Sequence, residues 1–149
     1  MLDASAREIR YLRLSVTDLC NYRCRYCMPE RGVEKGPHGA VLSVEECVEM
    51  AAAAVECGVH KIRLTGGEPL IRRGILDICR GIAAIPGVEE LCLTTNGALL
   101  LAMAEPLRQA GVQRIDVCPD CTGCHPERWW SHRKMGDRRG AQAALIALI

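Results

Sequence analysis

Three cysteines fall within eight residues, Cys20-Asn21-Tyr22-Arg23-Cys24-Arg25-Tyr26-Cys27, separated by three and then two positions. A loop of that length wraps three corners of an iron–sulfur cubane, one thiolate to each iron, and leaves the fourth iron without a protein ligand. Such an iron can be chelated by the amino and carboxylate groups of a small molecule. Zinc is the competing reading, because it takes four ligands, commonly with a second pair further along the chain. Cys118, Cys121, Cys124 and His125 offer donors at metal-like spacing, so spacing alone leaves zinc open. A further motif suits ligand contact. In Gly66-Gly67-Glu68-Pro69 the paired glycines allow close backbone approach and Glu68 can accept from an ammonium group, although a plain turn has the same composition. Thr95-Asn96-Gly97 is a third unusual loop motif.

Ten cysteines in 149 residues need a cause, and composition narrows it. Met1 to Arg10 is mixed polar and lacks the apolar centre of a signal peptide. The apolar run Met50–Val55 is far too short to span a bilayer. Without secretion, clustered cysteines read as metal ligands or redox groups rather than a disulfide framework, and a reducing cytoplasm is the expected compartment. With 49% hydrophobic and 25% charged residues the chain fits one globular domain. A net charge of +1 gives no global pull toward nucleic acid or membrane, and neither is expected as a partner. The cations are arginine apart from Lys35, Lys61 and Lys134, which suits bidentate phosphate contacts but equally reflects gene composition.

The elements that must position these motifs alternate. Tyr11–Val16 has the two-residue period of a strand. Ser43 and Glu46 form a capping box ahead of an apolar stripe, Val44, Cys47, Val48, Ala51 and Val55, which Gly58 ends. Lys61–Thr65 reads as a strand, Ile75–Ala83 as an amphipathic helix closed by Pro86-Gly87, and Leu91–Thr94 as a strand. A helix from about Leu100 to Ala110 and a strand over Gln113–Cys118 follow. This order predicts an α/β fold with a parallel sheet, in which loops after the strands gather at the carboxyl edge. Each motif directly follows a strand, so the motifs are expected to converge. Cys47, Cys57, Cys79 and Cys92 fall inside elements and are expected mostly as small core residues. Ala141–Ile149 reads as the start of a buried helix, and the chain is expected to be truncated or to need a covering partner.

Cys-x-x-x-Cys-x-x-Cys with Tyr26 before the last cysteine resembles the signature of the radical S-adenosylmethionine (SAM) superfamily. Ile9–Cys20, Met28-Pro29, Lys61–Arg73 and Leu93–Gly97 are similar, in register over residues 7–117, to the GTP 3′,8-cyclase family of molybdenum-cofactor biosynthesis. The resemblance implies a partial TIM-like βα barrel of about four βα units and a [4Fe–4S] cluster on Cys20, Cys24 and Cys27. It further implies SAM against Tyr26, Gly66, Gly67, Glu68 and Pro69, and GTP against Arg13, Arg63 and Thr94. The family's reaction cleaves SAM to a 5′-deoxyadenosyl radical and joins the GTP ribose to guanine C8. An electron-donor protein is an expected partner.

Two departures stand out. Where the family has a Ser-Leu-Asp run whose serine contacts SAM, this chain reads Cys118-Pro119-Asp120. The family is also longer, and its C-terminal part brings three cysteines for a second cluster that binds GTP. Residues 1–149 are therefore read as an apparently truncated radical SAM core, with 118–149 a divergent segment and a homo-oligomer or complementing chain expected. Cys118, Cys121 and Cys124 are candidates for an auxiliary metal, against a default of incidental cysteines. Another radical SAM activity, on peptide or small molecule, and a non-catalytic iron–sulfur or zinc module are the competing functions.

Overall fold

Alternation of apolar and polar residues in four short segments builds a parallel sheet with one greasy and one charged face. The computed structural model describes residues 6, 8–24, 41–117 and 146–147. Its strands are β1 (Tyr11–Ser15), β2 (Lys61–Thr65), β3 (Glu90–Thr95) and β4 (Arg114–Val117), side by side in sequence order and all parallel. The helices α1 (Val44–Glu56), α2 (Ile75–Ala83) and α3 (Leu100–Gln109) lie one in each connection. This is the α/β arrangement expected, as a partial barrel of four strands and three crossover helices. Among the described residues no helix is long and apolar enough to cross a membrane.

The register sets the two faces. Leu12, Ile62 and Leu91 lie level across β1, β2 and β3, and Leu14, Leu64, Leu93 and Ile115 form the next row. These residues join the helices' Cys47, Ala51, Ile75, Ile78, Cys79, Ile82 and Leu107 in a single core. Each leucine or isoleucine fully buried there is worth about 1.5–3 kcal/mol. Local signals place the helices. Ser43 caps α1, with Oγ accepting from the Glu46 amide at 3.1 Å and its own amide donating to Glu46 Oε2 at 2.7 Å.

One expectation changes. The residues 146–147 form a strand, β5 (Ile146–Ala147), antiparallel to β4, in place of the helix expected from Ala141. A short apolar run does not distinguish helix from buried strand by period, and the edge of β4 offers unpaired backbone groups. Cys47 and Cys79 lie in the core as expected, Cys92 is buried on the opposite face level with Arg63, and Cys57 is exposed at the end of α1. Burial pushes the Cys79 thiol up to about 12 and raises Cys47 and Cys92 as well, which keeps them protonated and poor metal ligands. Tyr26, Cys27, Cys118, Cys121, Cys124 and His125 lie outside the described residues.

Candidate active site

Everything at the carboxyl edge hangs on how closely the loop after β2 approaches the loop after β1. The Gly67 amide donates to the Thr17 carbonyl at 2.7 Å, and the Glu68 amide to the Leu19 carbonyl at 2.8 Å. A Cβ on Gly67 would sit 2.2 Å from the Leu19 carbonyl oxygen, and one on Gly66 2.4 Å from that of Thr17. Gly66 also has φ +150. Side chains are thus excluded by the segment leading to Cys20, and both glycines keep exposed backbone beside it. The sequence had offered ligand approach as their reason; the approach of one loop to the other already demands them.

Glu68 is 1% exposed. Its Oε1 accepts from the Leu70 amide at 3.0 Å and the Thr95 hydroxyl at 2.7 Å, and its Oε2 from the Asn96 amide at 2.7 Å. The carboxylate therefore caps the 3-10 turn Pro69–Ile71 and ties the loop after β2 to the loop after β3. Among the described residues no buried side-chain nitrogen or oxygen lacks a partner. This bracing role was not legible in the motif, where Glu68 was read only as an acceptor for a ligand.

Cys20 and Cys24 are both half-buried, and Cys20 lies beside that brace. Cys20 Sγ accepts from the Tyr22 amide at 3.3 Å and faces Asn96 Nδ2 at 3.9 Å. Arg23 Nη1 donates to the Cys20 carbonyl at 2.8 Å and the Tyr22 carbonyl at 3.1 Å, curling the loop on itself. N–H groups aimed at sulfur suit a thiolate ligand, so the donor set fits the cluster that the cysteine spacing suggests.

The three arginine and threonine candidates do converge, on the sheet face opposite the helices. Arg13 is exposed and lies directly across from Arg63 in the β1–β2 register. Arg63 is 8% exposed, and its Nη1 donates to Thr94 Oγ1 at 3.0 Å. Two partners were missed in the sequence. Tyr11 accepts from Arg63 Nε, and Asp116 forms an ion pair with Arg63 Nη1. Both occupy alternate strand positions that only the register reveals as neighbours. Further along, Lys61 pairs with Glu90, whose carboxyl the Lys61 ammonium holds below its usual range. Arg114 reaches Asp116 at 3.3 Å and Glu90 at 3.8 Å. Arg13, Lys61, Arg63 and Arg114 outnumber Glu90 and Asp116, so this face carries a surplus of positive charge suited to an anionic ligand.

Relatives share this arrangement of sequence. A profile described as the radical SAM superfamily matches residues 14–147, past the residue 117 where the motif resemblance stops. The chain is 57% identical over 120 residues to GTP 3′,8-cyclase of Geobacter sulfurreducens, covering 80% of this chain and 37% of that protein. It is 53% identical over 151 residues to GTP 3′,8-cyclase of Pelotomaculum thermopropionicum, covering 99% and 46%. The chain thus spans less than half the length of these relatives. A solved structure, BtrN in complex with AdoMet and 2-DOIA, superposes with a TM-score of 0.56 at 18% identity, over 74% of this chain and 46% of that one. With its family profile, its parallel sheet and its cysteine loop in agreement, the chain belongs to the radical SAM superfamily.

Proposed function

We propose that the chain forms the SAM-binding part of a GTP 3′,8-cyclase, with Cys20, Cys24 and Cys27 holding a [4Fe–4S] cluster. When bound, that cluster supplies the electron that cleaves SAM to methionine and a 5′-deoxyadenosyl radical. The exposed backbone of Gly66 and Gly67, with Tyr26, receives SAM, while buried Pro69 opens the turn behind them and Glu68 acts chiefly by bracing this rim. Arg13 and Arg63 bind the GTP phosphates, with Thr94 fixing the Arg63 guanidinium. Asp116 and Tyr11 keep Arg63 aimed across the sheet before the nucleotide arrives, which lowers the cost of ordering it.

The observation that carries this reading is the gathering of Arg13, Arg63 and Thr94 on one charged face, on strands whose carboxyl-end loops hold the cysteines and paired glycines. The names of the relatives support GTP as the nucleotide. An electron-donor protein belongs to the same proposal, since SAM cleavage consumes an external electron. The test is anaerobic reconstitution, iron and sulfide counts, and EPR of the reduced protein with and without SAM. About four irons per chain and a SAM-dependent spectrum, both lost in Cys24→Ala, are expected for a single cubane. GTP-dependent formation of 5′-deoxyadenosine is expected next. Zinc in place of iron, or a cluster indifferent to SAM, would overturn the cluster assignment; SAM cleavage indifferent to GTP would overturn the nucleotide.

A further inference from the structure

Asn96 is where the three carboxyl-edge loops meet, and its side-chain amide has only one way to face. Its backbone amide is held by Glu68 Oε2 at 2.7 Å. Its Oδ1 accepts from the Ala98 amide at 3.0 Å, an Asx turn that puts the oxygen inward. A flipped amide would set donor against donor there, so the Ala98 amide assigns the nitrogen to the other side. That nitrogen donates to Asn21 Oδ1 at 2.8 Å and points at Cys20 Sγ at 3.9 Å, a reach that sulfur's larger radius allows. The Tyr22 amide, at 3.3 Å, approaches the same sulfur. Thus a side chain from the loop after β3 is aimed at the first cysteine of a triplet on another loop.

We propose that Asn96 is a positioning residue for the cluster: its amide orients the Cys20 thiolate and raises the reduction potential of the bound cluster. The inference rests on the assignment of Cys20 as a cluster ligand. An N–H dipole directed at a ligand sulfur stabilises the more negative, reduced cluster more than the oxidised one. Loss of the amide therefore makes the cluster harder to reduce. A bare turn-capping role predicts something different, a change in stability with no change in potential. Glu68 connects the two ideas, because the carboxylate that braces the glycine loop also fixes the Asn96 backbone.

The experiment compares the reconstituted full chain with Asn96→Ala and Asn96→Ser in a redox titration followed by EPR, with iron counts and far-UV circular dichroism on each. Serine retains an oxygen for the Ala98 amide but cannot reach Cys20, so it separates the turn from the sulfur contact. Both variants are expected to hold about four irons, as one cubane requires. At the wild-type midpoint each should show the reduced-to-oxidised ratio lowered about tenfold, or about 59 mV for one electron. Wild-type midpoints at equal iron loading overturn the inference alone. A Cys20→Ala chain that keeps its cluster overturns the ligand assignment, and the inference with it.

Discussion

Leu14, Leu64 and Leu93 on one side of the sheet and Arg13, Arg63 and Thr94 on the other are chain neighbours, one residue apart in each strand. The leucines are buried among three helices, whereas the second set forms part of a lattice of paired charges with Arg13 exposed. Parallel strands covered on both faces are apolar throughout. Here the alternation separates two tasks by residue parity. Close packing on the helix side makes the fold, and the opposite side is left free to hold charge. Partly exposed ion pairs such as Lys61–Glu90 contribute little to stability, so that face can be rearranged by a ligand without loosening the core.

The largest effect should come from the packed face. Leu93→Ala deletes a fully buried side chain and should destabilise the protein by about 3–4 kcal/mol in urea unfolding. A loss below about 1 kcal/mol would mean that the two faces are not divided as described. Next comes the residue that stands where the faces end. Glu68→Ala strands the Leu70 and Asn96 amides and the Thr95 hydroxyl, a cost of about 3 kcal/mol. Glu68→Gln keeps one acceptor and should fall between it and wild type in the same assay. The smallest effect on stability belongs to the charged face. Arg13→Ala should change unfolding by no more than about 0.5 kcal/mol, while the Kd for GTP in calorimetry rises about tenfold. If Arg13→Ala unfolds the chain instead, or leaves GTP binding unchanged, the separation of tasks is lost.

Much of this was legible before any coordinates. The two-residue and 3.6-residue periods placed the four parallel strands and three helices nearly to the residue, and the Ser43–Glu46 pair marked the start of α1. These are local signals, readable from neighbours in sequence. Non-local relations were not readable. That Asp116 meets Arg63 depends on strand register, which loop lengths and packing decide together. The role of Glu68 was hidden for a similar reason, because its partners Thr95 and Asn96 lie at the end of β3 and in the loop after it. Ile146–Ala147 misled because a brief apolar run suits either period until a neighbouring edge chooses.

The connection between β1 and β2 runs from Ser15 to Lys61, nearly twice the span from Thr65 to Glu90 between β2 and β3. Closing it costs about 0.5 kcal/mol more in chain entropy, since each doubling of a flexible loop adds about 0.6 kcal/mol. The expected folding order follows: β2, β3 and β4 assemble with their short crossovers, and β1 docks last. Pulsed hydrogen exchange should find the Leu91 and Leu93 amides protected before those of Leu12 and Leu14, and the reverse order would refute it. Because the cysteine triplet lies within that longest connection, Cys20 meets the loops after β2 and β3 only when the final strand seats. The geometry of the cysteine loop is then settled at the last step of folding rather than the first.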